Sequence, residues 1–175
     1  KHKDLFANHW PKQTRENWLW GVGLPLLTDI KRFLADSGDY VIFGLSGLPG
    51  SGKSTLGKWV DQVCLELDLP VKVISLDDFY LPADLLEDFM KGNPWSVPRG
   101  VPGSHSTKLI FDTLIKFQND GVLSCPQFDK SLRNGLGDRS CWHESHPKIV
   151  ILEGWFVGCL PINQSIYNLN SEPSL

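Results

Sequence analysis

The segment Gly47-Leu-Pro-Gly50-Ser-Gly52-Lys53-Ser54 constrains this chain more than any other stretch, because it dictates what must stand on either side of it. It matches G-x-x-x-x-G-K-[ST], the P-loop pattern. Its glycines let backbone N–H groups turn inward around phosphate oxygens, and the following helix offers its positive N-terminal end. Such a loop requires a strand before it and a helix behind it. Tyr40-Val-Ile-Phe-Gly-Leu45 is an apolar, β-branched run of the kind a buried parallel strand shows, and Leu56, Val60, Val63, Cys64 and Leu67 recur at helical spacing until Pro70. The spacing assigns Gly47, Leu48, Pro49, Gly50, Ser51, Gly52, Lys53, Ser54 and Thr55 to a nucleotide. Lys53 reaches the β and γ phosphates, Ser54 places its hydroxyl on Mg²⁺, and Thr55 touches the α phosphate. The cofactors expected are therefore ATP and Mg²⁺.

Val71 to Leu76 reads as a second strand, so strand, helix and strand make a βαβ unit and the class is α/β, a parallel sheet flanked by helices. Ala83 to Met90 predicts a short helix. Thr107 is expected to cap another, carrying Leu109, Ile110, Leu114 and Phe117 and ending at Gly121. Ser124 to Pro147 shows no periodicity and reads as one long loop, and Lys148-Ile-Val-Ile-Leu152 is the third strand. At the N-terminal end, Thr14 to Leu34 predicts two helical segments, the second with Pro25 in its first turn. Trp10, Trp18 and Trp20 are expected to pack these helices onto the sheet. The division is an N-terminal helical extension over 1–40 and a P-loop domain over 41–175. Three strands fall short of the five or six usual in such sheets, so the domain reads as incomplete.

Among 175 residues, 17 Lys and Arg oppose 20 Asp and Glu, a net charge of −3, with a pI near 5.9. No basic field exists to hold a phosphate backbone, so no nucleic-acid partner is expected. No apolar run is long enough to span a membrane and no membrane partner is expected. Cys64, Cys125, Cys141 and Cys159 contain no C-x-x-C pair and read as reduced thiols, with Cys64 inert on an apolar helix face. The expected compartment is the cytoplasm, or an organelle such as a plastid if a targeting segment was removed. Cys141, His143 and His146 lack the further cysteine a zinc site needs.

Acidic groups arrive at the sheet edge where ligands of open α/β folds bind. Asp77 and Asp78 follow the second strand, and either carboxylate can accept the proton of an attacking hydroxyl. Glu153 ends the third strand and is expected to hold Mg²⁺ through water, with Ser54 as the direct ligand.

The series Gly44-Leu-Ser-Gly-Leu-Pro-Gly-Ser-Gly-Lys-Ser-Thr55, Ser75-Leu-Asp-Asp-Phe-Tyr80, Arg99-Gly-Val-Pro-Gly-Ser-His105, Phe128-Asp-Lys-Ser131, Gly137-Asp-Arg139 and Leu152-Glu-Gly-Trp155 resembles D-glycerate 3-kinase of the plant and cyanobacterial type. That family stands with phosphoribulokinase, uridine kinase and pantothenate kinase. The resemblance covers about 41–161, and it implies further C-terminal strands and a lid that are not recognisable in 162–175. It implies transfer of the ATP γ phosphate to the 3-hydroxyl of D-glycerate, and a place in photorespiratory glycerate salvage. By the same resemblance Lys53 and Asp77 are catalytic, with Asp77 the base and Asp78 orienting the metal shell. Tyr80, Arg99, His105, Lys130 and Arg139, with Asp77, are the implied acceptor contacts; an Arg fork or a Lys charge suits a small carboxylate. Ser106 stands where the relatives usually carry Asp, and Phe128 where Tyr is common. The rival readings are a kinase of another hydroxyl acceptor, such as a nucleoside, pantothenate or a sugar phosphate, and a nucleotide-binding protein without transfer activity. Oligomeric state is not readable.

Overall fold

The computed structural model describes residues 3–10, 12, 16–36 and 38–159. Among them the strands are β1 (Val41–Ser46), β2 (Val71–Ser75), β3 (Leu123–Asp129), β4 (Asp138–Ser145) and β5 (Ile149–Gly154). The helices are α1 (Lys3–Asn8), α2 (Glu16–Trp18), α3 (Leu24–Asp36), α4 (Lys53–Glu66), α5 (Ala83–Met90) and α6 (Thr107–Asp120), with a π-helical turn Leu19–Gly23 joining α2 to α3. Two sequence expectations, the helix start at Thr14 and the C-terminal stretch 162–175, lie outside the described residues.

β1, β5 and β2 form a parallel sheet in that order. β5 is buried along its whole length, as a strand flanked on both edges and covered on both faces must be. Its side chains divide by the two-residue period of a strand. Ile149 and Ile151 enter a core with Leu27 and Ile30 of α3 and Leu56, Trp59, Val60 and Val63 of α4. Val150 and Leu152 enter a second core with Ile74, Phe79, Phe117 and Leu123. Each fully buried aliphatic or aromatic side chain contributes about 1.5–3 kcal/mol, so these two layers supply the main stabilisation. The parallel α/β architecture expected from the sequence is present. Trp10, Leu19, Leu27 and Ile30 enter the first of these cores, sharing it with α4 and β5.

Three local expectations change. The span read as one long loop contains β3 and β4, which pair antiparallel with an irregularity between Gln127 and Phe128. The strands escaped notice because Pro126 interrupts β3 and because β4 exposes most of its residues, leaving no apolar alternation to read. The α6 cap falls one residue earlier, at Ser106, and makes no side-chain hydrogen bond. Trp10 is buried edge-on against Trp59, but Trp18 and Trp20 are 39% and 45% exposed. Leu19 takes the inward position between them, and neighbours about 100° away on a helix cannot face the same core.

No described helix is long and apolar enough to cross a membrane.

Candidate active site

β1 delivers the chain to the phosphate loop, and the loop turns into α4 through Gly50 at φ 78° and Gly52 at φ 92°, left-handed conformations that side chains resist. α4 therefore begins at Lys53 with its first N–H groups facing the loop. Lys53 Nζ donates to Leu48 O at 3.2 Å. Parallel pairing in register sets Ser46 beside Gly154 and Ser75 beside Glu153, so the carboxyl ends of the three strands finish level around this loop. Between them lies a cavity of about 390 Å³, within the usual size of a small-ligand site.

Glu153 is buried, and its Oε1 accepts hydrogen bonds from Ser54 Oγ at 3.0 Å and Ser75 Oγ at 2.9 Å. A carboxylate so placed needs such partners, since an unpaired buried charge is strongly disfavoured. Two hydroxyls and a carboxylate on the wall of a phosphate-loop cavity are hard oxygen donors. They fit Mg²⁺, which is held by few protein ligands together with water and substrate phosphates. Among the described residues no group of three or more His, Cys, Asp or Glu side chains is placed to hold a metal ion by itself. On the outer face of the hairpin, Cys141 Sγ lies 3.3 Å from His143 Nε2 and donates to Gln127 Oε1 at 3.2 Å. Cys64 is buried, and burial first, with Asp61 adding, pushes its thiol up to about 12.

Asp77 follows β2 in a short 3₁₀ turn capped by Ser75. Its Oδ2 accepts from Lys130 Nζ at 2.6 Å, and its Oδ1 stands 3.8 Å from His105 Nε2. Burial alone would raise this carboxyl, but His105, Lys130 and Tyr80 facing it outweigh burial and hold it well below the usual carboxylate range. Tyr80 is pushed up by burial and by the Asp77 charge. The His105 ring stacks on Tyr80 at 4.2 Å, is buried, and leaves Nε2 without a hydrogen-bond partner.

Of the residues singled out in the sequence, Pro49, Gly50, Lys53, Ser54, Asp77, Tyr80 and Glu153 line this one cavity. His105 and Lys130 adjoin it through Asp77, and the rest are not on its wall. Asp78, expected in the metal shell, accepts from Ser75 N at 3.3 Å with Oδ2 and from Phe128 N at 3.1 Å with Oδ1; it is not on this wall but lines an adjoining cavity of about 200 Å³ with Ser54, Ser75 and Glu153. Burial raises it. Arg99 donates to the carbonyls of Gly135 and Leu136, and Arg139 grips Tyr80 O with Nε at 3.0 Å and a terminal nitrogen at 2.8 Å. Arg99 thus joins two loops, and Arg139 ties β4 to the segment after β2. Thr55 and the exposed Leu48 are not on the wall, and Gly47 lacks the Cβ that would meet Ser51 Oγ at 2.9 Å. Sequence reasoning gave no site role to Ser75, Gly100 or Trp155, which line the cavity together with Gly154. Ser75 carried one signal, its place at the end of a strand beside Asp77, but its approach to Glu153 follows from β2 pairing with β5.

Fold and loop together are those of the P-loop kinases. No family model matches the chain. It is 36% identical over 142 residues to the uncharacterized kinase mug58 of Schizosaccharomyces pombe, covering 75% of this chain and 51% of that protein. It is 34% identical over 134 residues to the chloroplastic D-glycerate 3-kinase of Arabidopsis thaliana, covering 70% of this chain and 29% of that one. The solved structure of D-glycerate 3-kinase from Cryptococcus neoformans superposes with a TM-score of 0.65 at 27% identity, over 86% of this chain and 56% of the other. The chain thus spans about half the length of the fission-yeast relative and less of the plant one.

Proposed function

We propose that this chain carries the nucleotide and acceptor machinery of an ATP-dependent kinase that phosphorylates D-glycerate at its 3-hydroxyl. One observation supports this reading above the rest: the Asp77 carboxylate shares a single cavity wall with Lys53, Ser54 and Glu153. A carboxylate on that wall is placed to receive the proton of a hydroxyl group that comes in against the terminal phosphate. Likeness to proteins named D-glycerate 3-kinase supports the choice of acceptor.

In this reading the backbone N–H groups of the loop and Lys53 hold the phosphates of ATP. Ser54 would hold Mg²⁺ directly and Glu153 through water; the ion, when bound, offsets charge on the β and γ oxygens. Asp77 orients the acceptor hydroxyl and receives its proton. The bond formed is between that oxygen and the γ phosphorus, and the bond broken is from the γ phosphorus to the bridging oxygen, which leaves on ADP. Because the transferring phosphoryl is only loosely bonded in the transition state, the hydroxyl need not be deprotonated beforehand. A carboxylate held low by its neighbours therefore suffices, chiefly by positioning.

The test is Mg²⁺-dependent ADP release with D-glycerate, L-glycerate, uridine, pantothenate and ribulose 5-phosphate. D-Glycerate alone is expected to stimulate release, and Asp77→Asn is expected to lower that rate by about 10²–10⁴. Stimulation by a different acceptor, or a rate that Asp77→Asn leaves intact, would overturn the reading.

A further inference from the structure

Both oxygens of Asp77 are already faced by cationic or proton-bearing groups, and the two partners differ in freedom. His105 is buried, stacked on Tyr80, and held by backbone bonds from Leu81 N to Ser104 O and from Ser106 N to Phe79 O. Lys130 is 53% exposed and arrives from the turn after β3. Asp129 Oδ1 fixes that turn by accepting from Ser131 N at 2.8 Å and Ser131 Oγ at 2.6 Å. The backbone of Lys130 is thereby anchored while its four-carbon stem can swing. The ammonium occupies Asp77 Oδ2 at 2.6 Å, the distance at which an acceptor hydroxyl would have to sit.

Other cations near the site have partners of their own. Arg99 and Arg139 are bound to backbone carbonyls, and Lys53 belongs to the phosphate loop. Lys130 is able to exchange partners, because a half-exposed ion pair of this kind holds its two groups only weakly. An acceptor bearing its own anion offers the ammonium an equivalent partner as it enters. A neutral acceptor offers none and must compete with the ammonium for the same oxygen.

Building on the kinase reading above, we propose that Lys130 gates acceptor choice by charge: it occupies Asp77 until a hydroxyl compound carrying a carboxylate or phosphate draws the ammonium away and opens the base to that hydroxyl. The anion then stays on Lys130, the hydroxyl donates to Asp77 Oδ2, and its proton passes to that oxygen as the new oxygen–phosphorus bond forms and the bond to the leaving ADP oxygen breaks. The recognised class is a short anionic hydroxy compound.

The experiment compares D-glycerate, glycerol 3-phosphate and glycerol, three compounds on one three-carbon frame, with wild-type protein, Lys130→Met, Lys130→Arg and the exposed control Lys116→Met. Turnover is measured together with calorimetric binding of each acceptor in the presence of a non-hydrolysable ATP analogue. In the wild type, D-glycerate or glycerol 3-phosphate is expected to exceed glycerol by 10-fold or more in kcat/KM, and which one leads distinguishes carboxylate from phosphate. Lys130→Met is expected to lower kcat/KM for the anionic acceptor by about 10–100-fold, mainly through KM, while glycerol turnover rises and the preference collapses. Lys130→Arg is expected to restore most of the preference, and Lys116→Met to keep it. An anion preference that survives Lys130→Met overturns the inference and leaves the kinase reading standing. Should no acceptor be phosphorylated, the kinase reading falls. Binding then decides for Lys130: an anion preference lost in Lys130→Met upholds the gate, and equal binding of glycerol and its anionic analogues in the wild type overturns it.

Discussion

Asp77 and Asp78 are neighbours in the chain, yet the 3₁₀ turn after β2 turns their carboxylates to different surroundings. Asp78 faces inward, where the N–H groups of Ser75 and Phe128 tie the turn to β3. Asp77 faces the cavity and Lys130. Their titrations pull in opposite senses. Asp77 is depressed when folded, so its contribution to stability is fully present above its ordinary value of 3.8 and is lost progressively as pH falls below that. Asp78 is raised by burial, so protonation favours its folded state. Replacing Asp77 by Asn removes the first effect and leaves the second. The wild type is expected to exceed Asp77→Asn by on the order of 1 kcal/mol at pH 7, a modest figure because the Lys130 pair is partly solvated. Urea unfolding at pH 7 and pH 3 checks this: the gap should narrow at pH 3, and a gap that widens there would show that Asp77 is not held low by its partners.

At the scale of elements, those that carry their own periodicity were legible: β1, β2 and β5 as apolar runs, α4 and α6 as faces of 3.6-residue spacing, α5 as a short amphipathic turn. The loop between β1 and α4 was legible because its chemistry needs fixed residue types. The β3–β4 hairpin was not, since its order comes from tertiary bonds: Asp78 to Phe128 N, and Arg139 to Tyr80 O. The same fact misdirects a reading of the site, because a sequence records the charge of Arg99 or Arg139 but not which oxygen it binds. Arg139 makes the point testable. Its planar fork spans one carbonyl with two nitrogens in a half-buried place, where burial lowers its own affinity for a proton. Arg139→Ala should cost about 1.5–3 kcal/mol in urea unfolding, because a part-buried carbonyl loses a charged donor. Lys cannot present the same fork, so Arg139→Lys should recover less than half of the loss. Full recovery by Lys would mean that charge, and not the two-nitrogen hold on Tyr80 O, is what the hairpin requires.

On the scale of the whole molecule, the strand order places β5 between the strand that enters the phosphate loop and the strand that ends near Asp77. Glu153 at the tip of β5 then joins Ser54 of α4 to Ser75 of β2, so both neighbouring elements meet on one carboxylate oxygen. A ligand that engages Ser54 and Glu153 therefore acts on the sheet and on α4 together, and its binding should stabilise the fold as a unit. At a hundred times its dissociation constant, a ligand that binds only the folded state adds about 2.7 kcal/mol, which for a domain near this length raises the melting temperature by about 5–10 °C. ATP with Mg²⁺ should give a rise of that size, ATP with a chelator distinctly less. Glu153→Gln keeps an oxygen that can accept from both hydroxyls but removes the charge. It should fold, retain the rise due to ATP alone, and lose the part due to Mg²⁺. Lys53→Ala should lose most of the rise with or without the ion, because its ammonium meets the phosphates themselves. If Glu153→Gln kept the full Mg²⁺-dependent rise, the carboxylate would be only a brace between Ser54 and Ser75, and the ion would have to be held by Ser54 and the phosphates without it.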